Sequence, residues 1–188
     1  MADDLVIRLA TPDDAQAVHA IYAPYVVNSV ATFEIEPPTV EQMRERIGHV
    51  LERYPYLVAE REGRVIAFAY ASAFRTRPAY DWSVETTIYA APDAIGTGVA
   101  PLIYARLEEL LAGMGIRSMY ACIADPNPAS ERFHEKCGYV KAGSFTNCGF
   151  KHGMWLGITW WEKHIGTFMG QAEPVIFKSW LNALLVME

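Results

Sequence analysis

Cysteine is scarce. There are three in the chain, Cys122, Cys137 and Cys148, with no C-x-x-C pair and no His/Cys spacing that would close a zinc site. A disulfide framework and a metal centre are therefore not expected, and a reducing, cytoplasmic compartment is. Long apolar runs are also missing, since nothing approaches the roughly 20 consecutive apolar residues of a membrane span. The opening MADDLVIRLATPDDA carries acids where a secretory leader needs basic residues. Basic charge is outnumbered, with 16 Lys and Arg against 22 Asp and Glu and a net charge of −6. That balance argues against a nucleic-acid binder that works by phosphate neutralisation. What is present is a 188-residue chain, 52% hydrophobic and 12% aromatic, of a size for one domain with its own core.

Patterning along the chain alternates between the two periodicities. Leu5 to Leu9 reads as a strand, and Thr11-Pro12-Asp13-Asp14 opens a helix with the apolar stripe Ala15, Val18, Ile21 and Tyr22, ended at about Pro24. Thr39-Val40-Glu41-Gln42 is a capping box that starts a second helix. YLVAER, a Glu62-Gly63 turn and RVIAFAYASAF form a hairpin, and Trp82 to Ala90 a third strand. A glycine-containing loop precedes a helix from about Val99 to Ala112. Then come a strand from Met119 to Ala124, a short helix in NPASERFHEKCG and two closing strands, YVKAGSF and MWLGITWWEKHI. The order predicts a mixed α/β single domain over residues 1–166. The tail 167–188, with the apolar cluster VIFKSWLNALLVM, is expected to dock as a terminal helix.

Asp93-Ala94-Ile95-Gly96-Thr97-Gly98-Val99-Ala100 links a strand to an amphipathic helix. Glycines let backbone amides approach a ligand, and the unpaired N–H groups of a helix start suit a pyrophosphate. Taken alone, the two glycines fit a tight turn equally well. Their company is more specific: strand, G-x-G loop, helix, strand, then Asn127-Pro128-Ala129-Ser130 and a short helix ending at Gly138-Tyr139. This arrangement resembles the GCN5-related N-acetyltransferase superfamily. RYPYLVAE, AYDWSVETTIY, NPASERFHEKCGY and GFKHGMW narrow the resemblance to its phosphinothricin and methionine sulfoximine acetyltransferase branch, from about Val6 to Lys163.

The resemblance implies a mostly antiparallel sheet flanked by helices, with a strand–loop–helix site for acetyl-CoA as co-substrate and no metal. It implies a small amino-acid acceptor, cytoplasmic location and a homodimer. The cofactor contacts it implies are Ile88, Tyr89 and Ala90 on the strand, Ile95, Gly96, Thr97, Gly98, Val99 and Ala100 on the loop, and Asn127 and Ser130 beyond. Asp93 departs from the family's Gln or Arg at that position and is expected to weaken the hold on CoA.

Glu85, a carboxylate inside an apolar strand, is the candidate base for the acceptor amine, a role that the resemblance carries. For the proton of the leaving thiolate there are two candidates, His134 and Tyr104. Arg75 and Arg77, two apart after a strand, are expected to hold the acceptor's acidic end, with Phe33, Tyr80, Glu85, Thr87 and Ala124 around it. Cys122, inside a strand, is read as an inert buried thiol and His152 as a loop residue. A non-catalytic acyl-CoA-binding relative, and an acetyltransferase of another small amine or of peptide N-termini, remain the alternatives.

Overall fold

The computed structural model describes residues 4–178. The elements run β1 (Leu5–Leu9), α1 (Ala15–Asn28), α2 (Val40–Leu51), β2 (Tyr56–Arg61), β3 (Arg64–Ala73), β4 (Ser83–Ala90), α3 (Val99–Gly113), β5 (Ser118–Asp125), α4 (Pro128–Lys136), β6 (Val140–Lys151) and β7 (Met154–His164). The strands form one seven-stranded sheet in the order β1-β2-β3-β4-β5-β7-β6. Every pairing is antiparallel except β4 with β5. The mixed, mostly antiparallel sheet expected from the sequence is the one observed.

Local chemistry explains several boundaries. Thr39 caps α2: its Oγ1 accepts from the Gln42 amide at 3.1 Å, and the Gln42 Oε1 accepts from the Thr39 amide at 2.8 Å. Glu62 and Gly63 take φ of 52° and 74°, the left-handed pair of a tight hairpin turn between β2 and β3. Asn127 caps α4, its Oδ1 accepting from the Ser130 amide at 3.2 Å.

The structure departs from the sequence reading in three places. Pro24 lies inside α1 and does not end it. Its ring removes one helical hydrogen bond, but the last turn is held by tertiary contacts. Val26 is fully buried, and the Tyr25 hydroxyl donates to the Ala90 carbonyl at 2.7 Å. β6 runs on to Lys151, past the Phe145 at which the apolar pattern stops, through a register shift between Phe145 and Gly149. A bulge breaks the alternation on which strand recognition depends. The described part of the tail, 167–178, is a docked strap without helix; residues 179–188, where the rest of the expected helix falls, lie outside the described residues. The Trp82 indole donates to the Glu173 carbonyl at 2.7 Å, and the Ile176 amide to the Met114 carbonyl at 3.0 Å. Phe177 packs edge-on against Tyr54 under the Arg53 guanidinium.

α1 and α3 pack against the sheet around Val18, Val26, Ile103, Leu107 and Leu111, all with no exposed surface. This core holds β3 and β4 rigidly side by side. β4 and β5, by contrast, pair only over Ser83–Glu85 and Ser118–Tyr120 and then separate. The gap between them opens a cavity.

Candidate active site

The cavity measures about 820 Å³ and is walled by Thr86–Ala90 of β4 and Ala121–Ala124 of β5. Backbone alternation decides what the wall offers. The Ser83 carbonyl and the Ala91 amide both bond toward β3, so the odd-numbered residues of β4 direct their backbone groups there. Thr86, Ile88 and Ala90 therefore direct theirs into the gap. The Ala90 carbonyl is taken by Tyr25. Past the β4–β5 pairing, the Ile88 N–H and C=O are the intact donor–acceptor pair facing the cleft, suited to an extended amide such as a pantetheine arm.

At one mouth stands the loop before α3. Ile95, Gly96, Gly98 and Ala100 line the cavity; Thr97 and Val99 do not. Gly96 and Gly98 have φ of 79° and 86°, the left-handed region that costs other residues energy. A Cβ at either would meet no atom within 4 Å, so the glycines serve backbone geometry and leave open room for a ligand. The first turn of α3 has amides without intrahelical partners; before it, the Thr97 amide donates to the Ala94 carbonyl at 3.3 Å. Asp93 lies outside the cavity and is bound to Arg64, whose guanidinium holds the carboxyl below its ordinary value. Its charge is thus balanced by a hairpin residue distant in sequence.

Glu85 lies half-buried on the cavity wall. Burial raises its pKa above the ordinary value, and the nearby positive charge of Arg75 works in the opposite direction. Thr87, Ala124 and Phe33 line the same cavity. Arg75, Arg77 and Tyr80 do not: the chain bends after β3, and all three are exposed outside it. The Arg75 guanidinium stacks 4.3 Å over the Phe74 ring, which in turn stacks on Tyr120.

His134 and Tyr104 are brought together. His134 lines the cavity, and fully buried Tyr104 stands behind it, its hydroxyl 3.2 Å from the His134 Nε2. The His134 Nδ1 lies 2.8 Å from the Ser130 carbonyl, which can only accept, so Nδ1 carries the proton and Nε2 accepts from Tyr104. Burial lowers the His134 pKa, in keeping with a neutral ring. Two further hydroxyls complete the cluster, which the sequence reading missed: Thr86 at 2.6 Å from Tyr104, and Tyr139 at 3.0 Å from Thr86 and 3.1 Å from Tyr104. No sequence signal joins these residues, which come from three different elements and a loop.

Cys122 is exposed in the cleft where a buried thiol was expected, because β5 has parted from β4 at that point. Desolvation and the Glu85 carboxylate push its pKa up to about 11, which disfavours the nucleophilic thiolate. His152 is an exposed turn residue with φ of 50°.

Comparison with known proteins agrees with this geometry. Residues 7–160 match the model of the acetyltransferase (GNAT) domain. The chain is 41% identical over 152 residues to a phosphinothricin N-acetyltransferase of Alcaligenes faecalis, covering 80% of this chain and 77% of that one. It is 37% identical over 157 residues to one from Streptomyces viridochromogenes, covering 84% and 86%. A crystal structure of a GNAT superfamily phosphinothricin acetyltransferase from Sinorhizobium meliloti in complex with acetyl-CoA superposes with a TM-score of 0.86 at 36% identity, covering 92% of this chain and 95% of that one.

Proposed function

Because the chain belongs to the acetyltransferase (GNAT) family, we propose that it transfers the acetyl group of acetyl-CoA to the α-amine of a small amino-acid analogue of the phosphinothricin, methionine sulfoximine or methionine sulfone type. The observation that carries this reading is the parting of β4 and β5. It opens one cavity that has Glu85 on its wall, the paired backbone groups of Ile88 along it and the Gly96–Gly98 loop at its mouth.

The chemistry follows from these positions. The amine is mostly protonated near neutral pH and must lose a proton before it attacks. Glu85 accepts that proton, directly or through a water. The amine nitrogen bonds to the thioester carbon, the C–S bond breaks, and the thiolate takes up the proton that the nitrogen sheds as the amide forms; His134 on the cavity wall, with Tyr104 behind it, is the candidate relay for that proton. Direct attack needs no acyl-enzyme, in keeping with the raised Cys122 thiol. If His134 and Tyr104 act as one unit, His134→Ala and Tyr104→Phe each lower kcat, and the double variant is no worse than the worse single one.

Residues 1–166 serve as the catalytic domain and 167–188 as an appendage. Val140, Phe145 and Phe150 of the edge strand β6, with Met154 and Trp155 at the start of β7, all more than half exposed, support a second copy as partner. Among the described residues no helix is long and apolar enough to cross a membrane, and a cytoplasmic location fits the reading.

Arg75 places positive charge near Glu85 from outside the cavity lining, and in this reading Arg75 and Arg77 hold the acidic end of the acceptor, with Tyr80 beside them. Arg77→Ala is expected to raise the acceptor KM about 10-fold, typical for loss of a charged hydrogen bond, and to leave the acetyl-CoA KM nearly unchanged. An unaltered acceptor KM in both Arg75→Ala and Arg77→Ala removes the two arginines from the site. The test of the function itself is thiol release from acetyl-CoA with L-phosphinothricin, L-methionine sulfoximine, L-methionine sulfone and a peptide N-terminus. Turnover of the peptide above the amino acids overturns the substrate class, and no turnover of any acceptor leaves the non-catalytic reading.

A further inference from the structure

The motif Gly149-Phe150-Lys151-His152-Gly153-Met154-Trp155 has no part in the chemistry above. It lies at the end of β6 and the turn into β7, yet two of its residues touch the loop between α1 and α2. A Cβ on Gly149 would come within 2.2 Å of Cε2 and 2.5 Å of Cδ2 of Phe33, so the ring rests against bare backbone. Lys151 is only 3% exposed, and its Nζ donates to the Thr32 carbonyl at 2.8 Å.

The same loop is gripped from two other sides. The Tyr22 hydroxyl of α1 lies 2.8 Å from the Thr32 Oγ1. Arg46 of α2 donates twice to the Glu34 carboxylate, at 2.7 and 3.3 Å. Three consecutive residues are thus held by α1, α2 and β6, and the middle one, Phe33, lines the cavity. Residues 29–39 contain no helix or strand. The position of Phe33 is therefore set by these contacts and not by the loop's own backbone ladder. A buried ammonium is costly unless an interaction compensates it, and that of Lys151 is directed at the loop.

We propose that Gly149 and Lys151 are positioning residues that seat Phe33 over the cavity, so that the choice of acceptor side chain is governed in part from the far end of β6. The proposal rests on the acetyltransferase reading. An ångström of displacement at a positioning side chain is enough to change turnover, and here the ring is the part displaced.

Lys151→Met keeps the alkyl stem and removes the ammonium. It is expected to raise the acceptor KM about 10-fold, the usual scale for a charge-assisted hydrogen bond, with the acetyl-CoA KM within about twofold. Amide hydrogen exchange over 29–35 should accelerate while that of β2 and β3 is unchanged. Gly149→Ala should raise the acceptor KM in the parent chain but add nothing in a Phe33→Ala background, where the ring it displaces is gone. Equal rises in both KM values, unchanged exchange over 29–35, or additive effects of Gly149→Ala and Phe33→Ala would overturn the seat. If Lys151→Met also loses protection in β2 and β3, the Gly149–Phe33 cycle decides. A parent chain that turns over no acceptor defeats the functional reading instead, and the exchange experiment still tests whether Lys151 holds the loop.

Discussion

Glu85→Gln is expected to lower kcat/KM for the acceptor by about 10²-fold or more at neutral pH, the usual worth of a positioned base. The carboxylate is half-buried on the cavity wall, and burial raises its pKa. The parent enzyme should therefore lose activity as pH falls through this raised value, as the base becomes protonated. The deficit of the glutamine variant relative to the parent should shrink at high pH, where the amine is already neutral. The stability effect has the opposite sign. A carboxyl whose folded pKa is raised binds its proton more tightly in the folded state. Its ionisation then opposes folding, an opposition absent below the ordinary carboxylate pKa and growing as pH rises through the folded value. Glu85→Gln should accordingly melt no lower than the parent at neutral pH. Near-parent kcat/KM at neutral pH would remove Glu85 from the chemistry, and a lowered Tm would show that it holds the fold.

The second large effect is expected at Gly98. Its φ of 86° at the start of α3 is a conformation that a β-branched residue scarcely adopts. Gly98→Val should force the loop to rearrange and raise the acetyl-CoA KM by about 10-fold or more, on the scale of 1–2 kcal/mol for a left-handed non-glycine residue. Gly98→Asn is the control, because Asn tolerates this region better. The order of KM should be Gly below Asn below Val, with the acceptor KM little changed. Equal KM values for the Asn and Val variants would mean that side-chain bulk, not backbone angle, decides. An unchanged KM in both would mean that this loop does not hold the cofactor.

Much of the molecule was legible before folding. The Thr39–Gln42 capping box, the Glu62–Gly63 turn and the glycines before α3 are local devices whose chemistry is complete within four to six residues. Together with the apolar periodicities they put the elements from β1 to β7 in the right order, whereas the helix expected in the tail is absent from 167–178. Glu85 was legible as a carboxylate out of place in an apolar strand. Pro24 misled because a local penalty is outweighed by packing that local sequence does not encode. The length of β6 was hidden by its register shift.

What depended on the third dimension was what distant residues do to one another. Asp93 is an exposed acid in the sequence and a balanced one in the fold, because the β2–β3 hairpin carries Arg64 to it. Thr86, Tyr104, His134 and Tyr139 form one hydroxyl and imidazole cluster although 53 positions separate Thr86 from Tyr139. Lys151 and Thr32 meet across 119 positions. Sequence periodicity reports which way a side chain faces within its own element, and capping and turn signals report where that element starts and stops. Neither reports where two strands part, yet the parting of β4 from β5 makes the cavity, exposes Cys122 and frees the backbone of Ile88. The sequence by itself determined the elements and the kinds of group available; the tertiary structure decided which of them share a site, because that depends on contacts between segments far apart in the chain.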